Sequence, residues 1–381
     1  MTSTAPAVVD ERDALMQLAA TMTGVISLGL GDPDFATPPR IVAAAKAAMA
    51  AGLCDHYADR AGLPALRQAI AAKLARENSI TADPDTEITV TTGGQEGLYL
   101  IIQALLNPGD EILVPDPRYS SYDAAIRRAG GVMVPVPTDE AHNFDLFPDA
   151  VAARITPRTK AILLVTPGNP TGGIISPAHL RAVARLAQEH DLAVISDEIY
   201  EQFVYDGAQH LSIGSLPGMR ERTITLNGFS KTYSMTGWRL GYIVAPAALT
   251  RAIRALKQAV SIAAPAVSQY AGVAAMNGPQ DCVTEFRTTY DARRRALMGA
   301  LTDSGFTYGH PYGAFYIFAN TASTGMSAYA LSHKLLTEGQ VLIFPGTGFG
   351  AAWGAYMRFS LLQPTEVLLE ATRRLRRVLA V

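Results

Sequence analysis

The chain has 381 residues, of which 49% are hydrophobic and 17% are charged. That balance excludes a mainly disordered chain, and the length suggests two globular parts. The 32 basic and 34 acidic residues leave a formal net charge of −2, without the basic excess that a nucleic-acid-binding protein gathers on one face. We therefore expect a folded protein that has no nucleic-acid partner.

The sequence contains no recognisable targeting, membrane or metal signal. Residues 1–12 lack a basic segment followed by an apolar core, so they do not form a secretory signal peptide. The strongest apolar run, Ala161–Val165, is far shorter than the roughly 20 residues that cross a bilayer. Cys54 and Cys282 lie far apart without neighbouring metal ligands, which argues against a disulfide framework and a zinc site. A cytoplasmic protein with no membrane association and no metal is expected.

Short apolar runs alternate with longer helical patterns through most of the chain, which is typical of an α/β domain with a largely parallel sheet. One weak helical pattern precedes the Gly/Pro-rich segment Gly29–Pro39. The predicted strands that follow are Glu87–Thr91, Glu111–Val114, Val132–Val136, Ala161–Val165, Ala193–Ser196, Thr223–Leu226 and Leu240–Val244.

Helical patterns connect these strands. The two clearest are Gln95–Leu106 and Ser176–His190, and Ser176 is placed as an N-cap ahead of Pro177 in the first turn. Ala247–Ala275 reads as one long helix, in which Pro265 must cause a kink or a break.

The pattern changes from about residue 281, where a smaller α+β unit is predicted. Its charged helix, Thr284–Leu301, contains three consecutive arginines that we expect on a solvated face. The predicted elements after it are the strands Ala314–Phe318, Val341–Phe344 and Tyr356–Ser360 and a basic helix ending at Leu379. The first 45 residues are expected to pack against this unit. The predicted division is a large domain at 46–278 and a small domain built from 1–45 and 279–381.

The most informative motif is the sixteen-residue run Asn227–Tyr242. A single lysine after a strand is usually a solvated side chain. Here Lys231 follows an apolar strand among small residues, and Arg239 comes eight positions later. Open β-sheets place ligands at the carboxyl ends of their strands, where this lysine would lie. The run resembles the lysine segment of class I and II pyridoxal-phosphate-dependent aminotransferases, in the subgroup that contains bacterial aspartate aminotransferases.

The resemblance implies a role for several residues around the cofactor, pyridoxal 5′-phosphate. Lys231 matches the lysine that forms the Schiff base and then moves the Cα proton. Asp197, in a DEIYE run, matches the carboxylate that keeps the pyridine nitrogen protonated, although an aspartate after a strand is more often an N-cap. Tyr200 and Asn169 match groups that reach the phenolic oxygen, and the family's asparagine also reaches the substrate carboxylate. Asn169 lies in a PGNPTG run, where the family commonly has a cis bond to Pro170.

Phosphate binding needs backbone N–H groups at a helix N-terminus and a guanidinium. Gly93, Gly94 and Gln95 lie between a predicted strand and a predicted helix, so their amides can face an anion. A glycine pair there could also be only a tight turn. Arg239 matches the guanidinium of the family, and Ser230 is a candidate hydroxyl donor.

Four further residues complete the predicted site. Tyr119 matches the aromatic side chain that stacks on the ring. Gly31 lies in a loop whose GxG pattern lacks the third glycine of a dinucleotide site, and in the family a glycine amide of this loop contacts the substrate carboxylate. Arg358 lies inside a strand pattern; it is either a salt-bridged edge residue or the family's ligand for the α-carboxylate. Tyr57 resembles the tyrosine that crosses a dimer interface to the phosphate of the other subunit.

These matches run from Gly29 to Ser360 in the order of the family. They imply a fold-type-I homodimer with a large, mostly parallel seven-stranded domain and a smaller α+β domain. The implied reaction moves an amino group from an L-amino acid to a 2-oxo acid. The same scaffold also supports C–S lyases, other β-eliminations and closure of a cyclopropane ring, because the cofactor provides the electron sink in all of them.

The substrate side chain is expected to be neutral or weakly polar, with 2-oxoglutarate or pyruvate as acceptor. Recognition of a second carboxylate needs a second cation. Some dicarboxylate-specific relatives have a lysine where this chain has Gln95, and others use an arginine in a segment that here is the uncharged Ala259–Pro265. An aspartate aminotransferase remains the alternative, with Arg60 or Arg118 as the missing cation.

Overall fold

A computed structural model describes residues 11–380. Most of the segment assessed above for targeting signals, residues 1–10, lies outside the described part, as does Val381. The helices are α1 Glu11–Ala20, α2 Pro39–Ala50, α3 Pro64–Lys73, α4 Gly93–Leu105, α5 Ser121–Arg128, α6 Pro148–Ala152, α7 Pro177–Glu189, α8 Ala247–Val260, α9 Ala266–Asn277, α10 Asp281–Thr302, α11 Ala328–Gly339 and α12 Thr365–Leu379. The strands are β1 Ile26–Ser27, β2 Ile88–Thr91, β3 Glu111–Asp116, β4 Val132–Pro137, β5 Thr159–Val165, β6 Ala193–Asp197, β7 Thr223–Gly228, β8 Gly241–Val244, β9 Thr307–Tyr308, β10 Tyr316–Asn320, β11 Val341–Leu342, β12 Phe344–Pro345 and β13 Tyr356–Ser360. No helix of this part of the chain is both long and apolar enough to span a bilayer.

All seven strands predicted before residue 245 lie in one sheet. Its strand order is β2-β8-β7-β6-β5-β3-β4, and every pairing is parallel except the two made by β8. The central strand β5 is buried on both faces from Ala161 to Val165, which explains why its sequence is continuously apolar rather than alternating. The predicted α/β class with a mostly parallel seven-stranded sheet is confirmed.

The start of α7 and the break between α8 and α9 lie where the sequence predicted them. The Ser176 hydroxyl accepts a hydrogen bond from the His179 N–H at 3.3 Å, as an N-cap does at the start of α7. The long pattern after residue 246 is interrupted as expected, because α8 ends at Val260 and α9 begins only after Pro265. Proline cannot donate a helical hydrogen bond and clashes with the preceding turn, so it can precede a helix but not continue one.

A smaller α+β unit lies beside the large sheet. It contains the antiparallel sheet β12-β13-β10-β9 and a two-stranded parallel sheet that joins β1 to β11. The predicted strand Val341–Phe344 is divided between these two sheets, with β11 paired to β1 and β12 paired to β13. The pairing of β1 with β11 brings an N-terminal segment into this unit.

The three consecutive arginines of α10 do not share one solvated face. Only Arg295 has an exposed side chain, whereas Arg293 and Arg294 are buried. Arg293 pairs with Asp34 at 2.7 Å, and Arg294 pairs with Asp206 at 2.7 Å. The prediction was wrong because neighbouring helical residues lie about 100° apart, so three in a row cannot all face solvent on a packed helix.

Candidate active site

The carboxyl edge of the large sheet carries a cavity of about 560 Å³. Strands β2, β3, β5, β6 and β7 all end at this edge, so the residues that follow them converge there. Strand β8 runs in the opposite direction, which places Arg239, two residues before its start, at the same edge. The lining includes these predicted site residues: Gly31, Gly94, Gln95, Tyr119, Asn169, Asp197, Tyr200, Ser230, Lys231, Arg239 and Arg358.

Lys231 lies in this cavity just after β7. Its Nζ donates a hydrogen bond to the Gly31 carbonyl at 2.5 Å. Burial, together with the positive charges of Arg358 and Arg239, lowers the pKa of its ammonium to about 8, although Asp32 acts in the opposite direction. A lysine with a depressed pKa has a substantial neutral fraction near physiological pH, and the neutral amine is the nucleophilic form.

Asp197 is the last residue of β6. Its Oδ2 accepts a hydrogen bond from the Tyr122 hydroxyl at 2.8 Å, and its Oδ1 accepts one from the Ile199 N–H at 3.3 Å. Burial raises the pKa of this carboxyl to about 6, and the nearby charge of Glu198 acts in the same direction. Within residues 11–380 it forms no salt bridge with lysine, arginine or histidine. The carboxylate is therefore suited to a cationic group that enters the cavity.

Arg358 lies in the middle of β13, between β10 and β12, and not at a sheet edge. It is 3% exposed. One terminal nitrogen, Nη1, donates to the Asn169 side-chain carbonyl at 2.9 Å, and Nη2 donates to the Gly29 carbonyl. Its Nε has no hydrogen-bond partner, and burial lowers the pKa of the guanidinium. A buried arginine without a carboxylate among the described residues is suited to an anionic ligand.

Tyr200 and Asn169 belong to one hydrogen-bonded group. The Tyr200 hydroxyl lies 3.2 Å from the Tyr316 hydroxyl and accepts a hydrogen bond from Asn169 Nδ2 at 3.4 Å. Burial and the neighbouring Tyr316 raise the pKa of the Tyr200 phenol, so it remains a neutral donor. The Asn169–Pro170 bond is cis, as the resemblance implied.

The N-terminus of α4 opens onto the cavity. Gly93 begins this helix with φ +77°, which favours glycine, and a Cβ at that position would lie 2.6 Å from Arg239 Nη2 and displace the guanidinium. The first N–H groups of a helix have no intrahelical partners and attract anions. Gly94 and Gln95 line the cavity here beside Ser230, which makes this end suitable for a phosphate.

The cavity also contains residues that the sequence analysis missed: Arg12, Asp32, Tyr122 and Tyr316. Tyr122 follows Tyr119 by three positions, and this spacing at the start of a helix is the one sequence signal that could have revealed it. Tyr316 is in a strand pattern that also fits an ordinary core aromatic. Arg12 reaches the cavity only because α1 packs on the smaller unit, where its guanidinium stacks on Phe344 at 4.7 Å.

Two arginines proposed as substitutes for a missing cation do not line the cavity. Arg118 is held by Asp116 and Asp123 at 2.7 Å each, so its charge is already paired. Arg60 is exposed and absent from the lining. Tyr57 is 82% exposed and also lies outside the cavity of its own chain.

The chain resembles known proteins over nearly its whole length. The model of the family "Aminotransferase class I and II" matches residues 23–375. An aspartate aminotransferase of Pyrococcus abyssi is 43% identical over 96% of this chain and 94% of its own length. The aromatic-amino-acid aminotransferase 2 of Thermococcus litoralis is 41% identical over 96% of this chain and 94% of its own. The crystal structure of an aromatic aminotransferase from Pyrococcus horikoshii matches with a TM-score of 0.92 at 42% identity, covering 96% of this chain and 98% of that chain. The chain is therefore an enzyme of the class I and II aminotransferase family.

Proposed function

We propose that this aminotransferase uses pyridoxal 5′-phosphate held by Lys231 and prefers amino donors with neutral side chains. Amino-group transfer between an amino acid and a 2-oxo acid follows from the family. One observation supports the proposal most directly. A single cavity is lined by Lys231 with its lowered pKa, by the buried Asp197 carboxylate and by the buried Arg358 guanidinium.

The described residues fit the cofactor at two places and the substrate at a third. The cradle formed by Gly93 and Arg239 suits a phosphate, and Asp197 suits a protonated ring nitrogen. The Nε of Arg358, which has no hydrogen-bond partner, suits the carboxylate of a substrate. When bound, the cofactor supplies an aldehyde for attachment and a conjugated ring that accepts electrons from the substrate Cα–H bond.

The chain's own residues then have separate roles. Lys231 attaches the cofactor and moves the Cα proton with its Nζ. Asp197 holds a proton at the ring nitrogen, and the Tyr122 hydrogen bond fixes the orientation of its carboxylate. Tyr200 and Asn169 donate to the phenolic oxygen, which their shared hydrogen bond supports.

The substrate is held between the two units of the fold. Arg358 binds the α-carboxylate through two N–H groups of its guanidinium. The hydrogen bond to Asn169 Oδ1 fixes the orientation of that guanidinium. Gly31 offers its amide from the loop above Lys231; a side chain there would collide with the Tyr316 hydroxyl. Tyr119 stacks on the ring. These roles suit a neutral amino acid, because Gln95 is uncharged and Arg118 is already paired.

The assembly and the domain division belong to the same proposal. Two copies of the chain form a homodimer in which the exposed Tyr57 reaches the phosphate of the other subunit. The large domain is 46–278, and the small domain is 1–45 with 279–381.

A half-reaction screen tests the donor preference. The purified protein is mixed with single amino acids, and the visible absorption of the bound cofactor is followed with time. Alanine, methionine or phenylalanine should discharge the band faster than aspartate or glutamate. A protein that has no such band contradicts the cofactor proposal. Release of ammonia together with a 2-oxo acid, in the absence of an added acceptor and with the band retained, would identify β-elimination.

Aspartate is the second candidate donor, because Arg12 brings another cation to the cavity that contains Arg358. The relative from Pyrococcus abyssi is named an aspartate aminotransferase. If aspartate is fastest in the screen, the variant Arg12→Gln should lose that preference and keep activity towards alanine.

A further inference from the structure

The turn that follows β6 has two different faces. Asp197, Ile199 and Tyr200 line the cavity. Glu198 and Glu201 do not; both are buried, and they point into a group of polar side chains behind the turn. This group, called here the rear cluster, consists of Glu198, Glu201, Lys73, Asn78 and His210.

Every carboxylate oxygen of the rear cluster has a donor. Glu201 pairs with the Lys73 ammonium, accepts from Asn227 Nδ2 at 2.7 Å and accepts from Asn78 Nδ2 at 2.6 Å. Glu198 is fully buried and lies 3.2 Å from His210 Nε2. Its remaining donors are Ser196, Ser212 and Asn78, at 2.9 Å, 2.7 Å and 3.3 Å. The two glutamates are thus attached to α3, to the π-helical turn after it and to the segment near residue 210.

The charges of the rear cluster balance when His210 is protonated. Burial acts to lower the pKa of His210, but the charge and hydrogen bond of Glu198, followed by the charge of Glu201, raise it on balance. Glu198, Glu201 and His210 could together ligate a metal. However, the Lys73 ammonium already pairs with the Glu201 carboxylate, so no metal ion is needed to neutralise that charge.

Such a cluster is costly if its purpose is only stability. Burying charges removes them from water, and apolar replacements of similar volume are often equally stable or more stable. The rear cluster does have a geometric effect, because it holds the same short turn that presents Asp197 and Tyr200. The Glu201 N–H also donates to the Glu198 carbonyl at 3.0 Å, so the two side chains and the turn form one unit.

We infer that Glu198 and Glu201 are positioning residues, which the rear cluster holds so that Asp197 and Tyr200 meet the cofactor correctly. This inference rests on the proposed roles of Asp197 and Tyr200. Displacement of a catalytic group by about 1 Å can cost on the order of a hundredfold in rate. The rear cluster therefore controls the reaction without touching a reacting atom.

The test compares Glu201→Gln with Glu111→Gln. Glu111 is likewise a buried glutamate paired with a cation, Arg158, but it begins β3 at the sheet edge opposite the cavity, so it is a matched control. Glu201→Gln should lower kcat about tenfold or more with little change in KM. It should also shift the pH midpoint of the bound cofactor's visible band, whereas Glu111→Gln should leave the midpoint and kcat unchanged.

A folded Glu201→Gln variant with the wild-type midpoint and kcat would overturn the inference, and so would equal effects of the two variants. If Glu201→Gln does not fold, His210→Gln decides in the same way, because His210 is at the rim of the cluster with a 10% exposed side chain. Failure of the underlying function is distinguishable, since the wild-type protein itself would then show neither the band nor a half-reaction.

Discussion

At the scale of single residues, the amine of Lys231 depends on its surroundings. Burial first, and then Arg358 and Arg239, lower its pKa to about 8, whereas an unperturbed lysine is almost fully protonated at that pH. We predict that the cofactor-free protein captures pyridoxal 5′-phosphate at a rate that rises with pH through a midpoint near 8. The visible band, followed after mixing between pH 6 and pH 10, measures this. Lys231→Ala should show no band at any pH, and a midpoint above 10 would contradict the prediction.

The Asp197 carboxyl makes the cofactor-free protein less stable as pH rises, whereas most carboxylates make a folded protein more stable as pH rises. Its folded pKa, about 6, lies above the ordinary value of 3.8 because the group is buried. As pH rises through this interval, the unfolded chain releases the proton first, so stability falls. The full loss, reached above about pH 6, corresponds to about 3 kcal/mol. We therefore expect Asp197→Asn without cofactor to melt at a higher temperature than the wild type at pH 8.

Calorimetry of the cofactor-free proteins at several pH values checks this expectation. The advantage of Asp197→Asn should shrink as pH falls from 6 and disappear below about pH 3, where the wild-type carboxyl is protonated in both states. Asp303→Asn, at a 70% exposed side chain, is the control and should change little at any pH. A lower melting temperature of Asp197→Asn at pH 8 would refute the argument.

Site residues could be predicted from the sequence where they lie in a short motif of the family. Lys231, Asp197 and Asn169 each lie in such a run, and all three line the cavity. Tyr316 and Arg12 lie in no motif, and they reach the cavity only through the packing of β10 and α1. Contacts between distant elements of this kind are not encoded in any short window of residues.

At the scale of elements, the inner strands β3, β5 and β6 of the large sheet were predictable because buried parallel strands are short, continuous apolar runs. Helices α2 and α3 were not predicted. Both begin at a proline, and α2 is rich in alanine, so its apolar stripe is weak. The division of Val341–Phe344 between two sheets could not be predicted from the sequence either, because a local pattern does not reveal which strand will be the partner.

The start of α4 gives a prediction about one element. Gly93→Ala should weaken cofactor retention about tenfold or more, because a Cβ there would displace Arg239 and the positive φ disfavours alanine. Gly207→Ala is the control, since Gly207 has a similar positive φ of +73°, lies outside the cavity lining and has no protein atom within 4 Å of an added Cβ. Equilibrium dialysis of the cofactor measures both variants. Equal retention by Gly93→Ala and the wild type would show that the cradle does not hold the phosphate.

At the scale of the whole molecule, the exposed Tyr57 predicts a site shared between two chains. Sedimentation should give the mass of a dimer, and Tyr57→Phe should weaken cofactor retention while the dimer persists. A mixed dimer separates the two possibilities: one subunit carries Tyr57→Phe and the other carries Lys231→Ala. If Tyr57 acts across the interface, this dimer keeps one site of wild-type affinity. If only weakened sites are found, Tyr57 acts within its own chain. Wild-type retention by the Tyr57→Phe homodimer would show that Tyr57 has no role in holding the cofactor.

The pairing of β1 with β11 has a consequence for the synthesis of the chain. The large sheet is complete once Val244 has left the ribosome, but β1 must wait for residues 341–342 before it has a partner. The β1 end of the loop that carries Gly31 therefore has no strand partner during most of translation, although Lys231 can already bind the Gly31 carbonyl. Arg358 arrives later still to bind the Gly29 carbonyl. Contacts between such distant positions form late because a long loop must close first. A nascent chain stalled before residue 341 would thus display Lys231 in an open groove, and closure of the substrate pocket would be among the last events in the maturation of this enzyme.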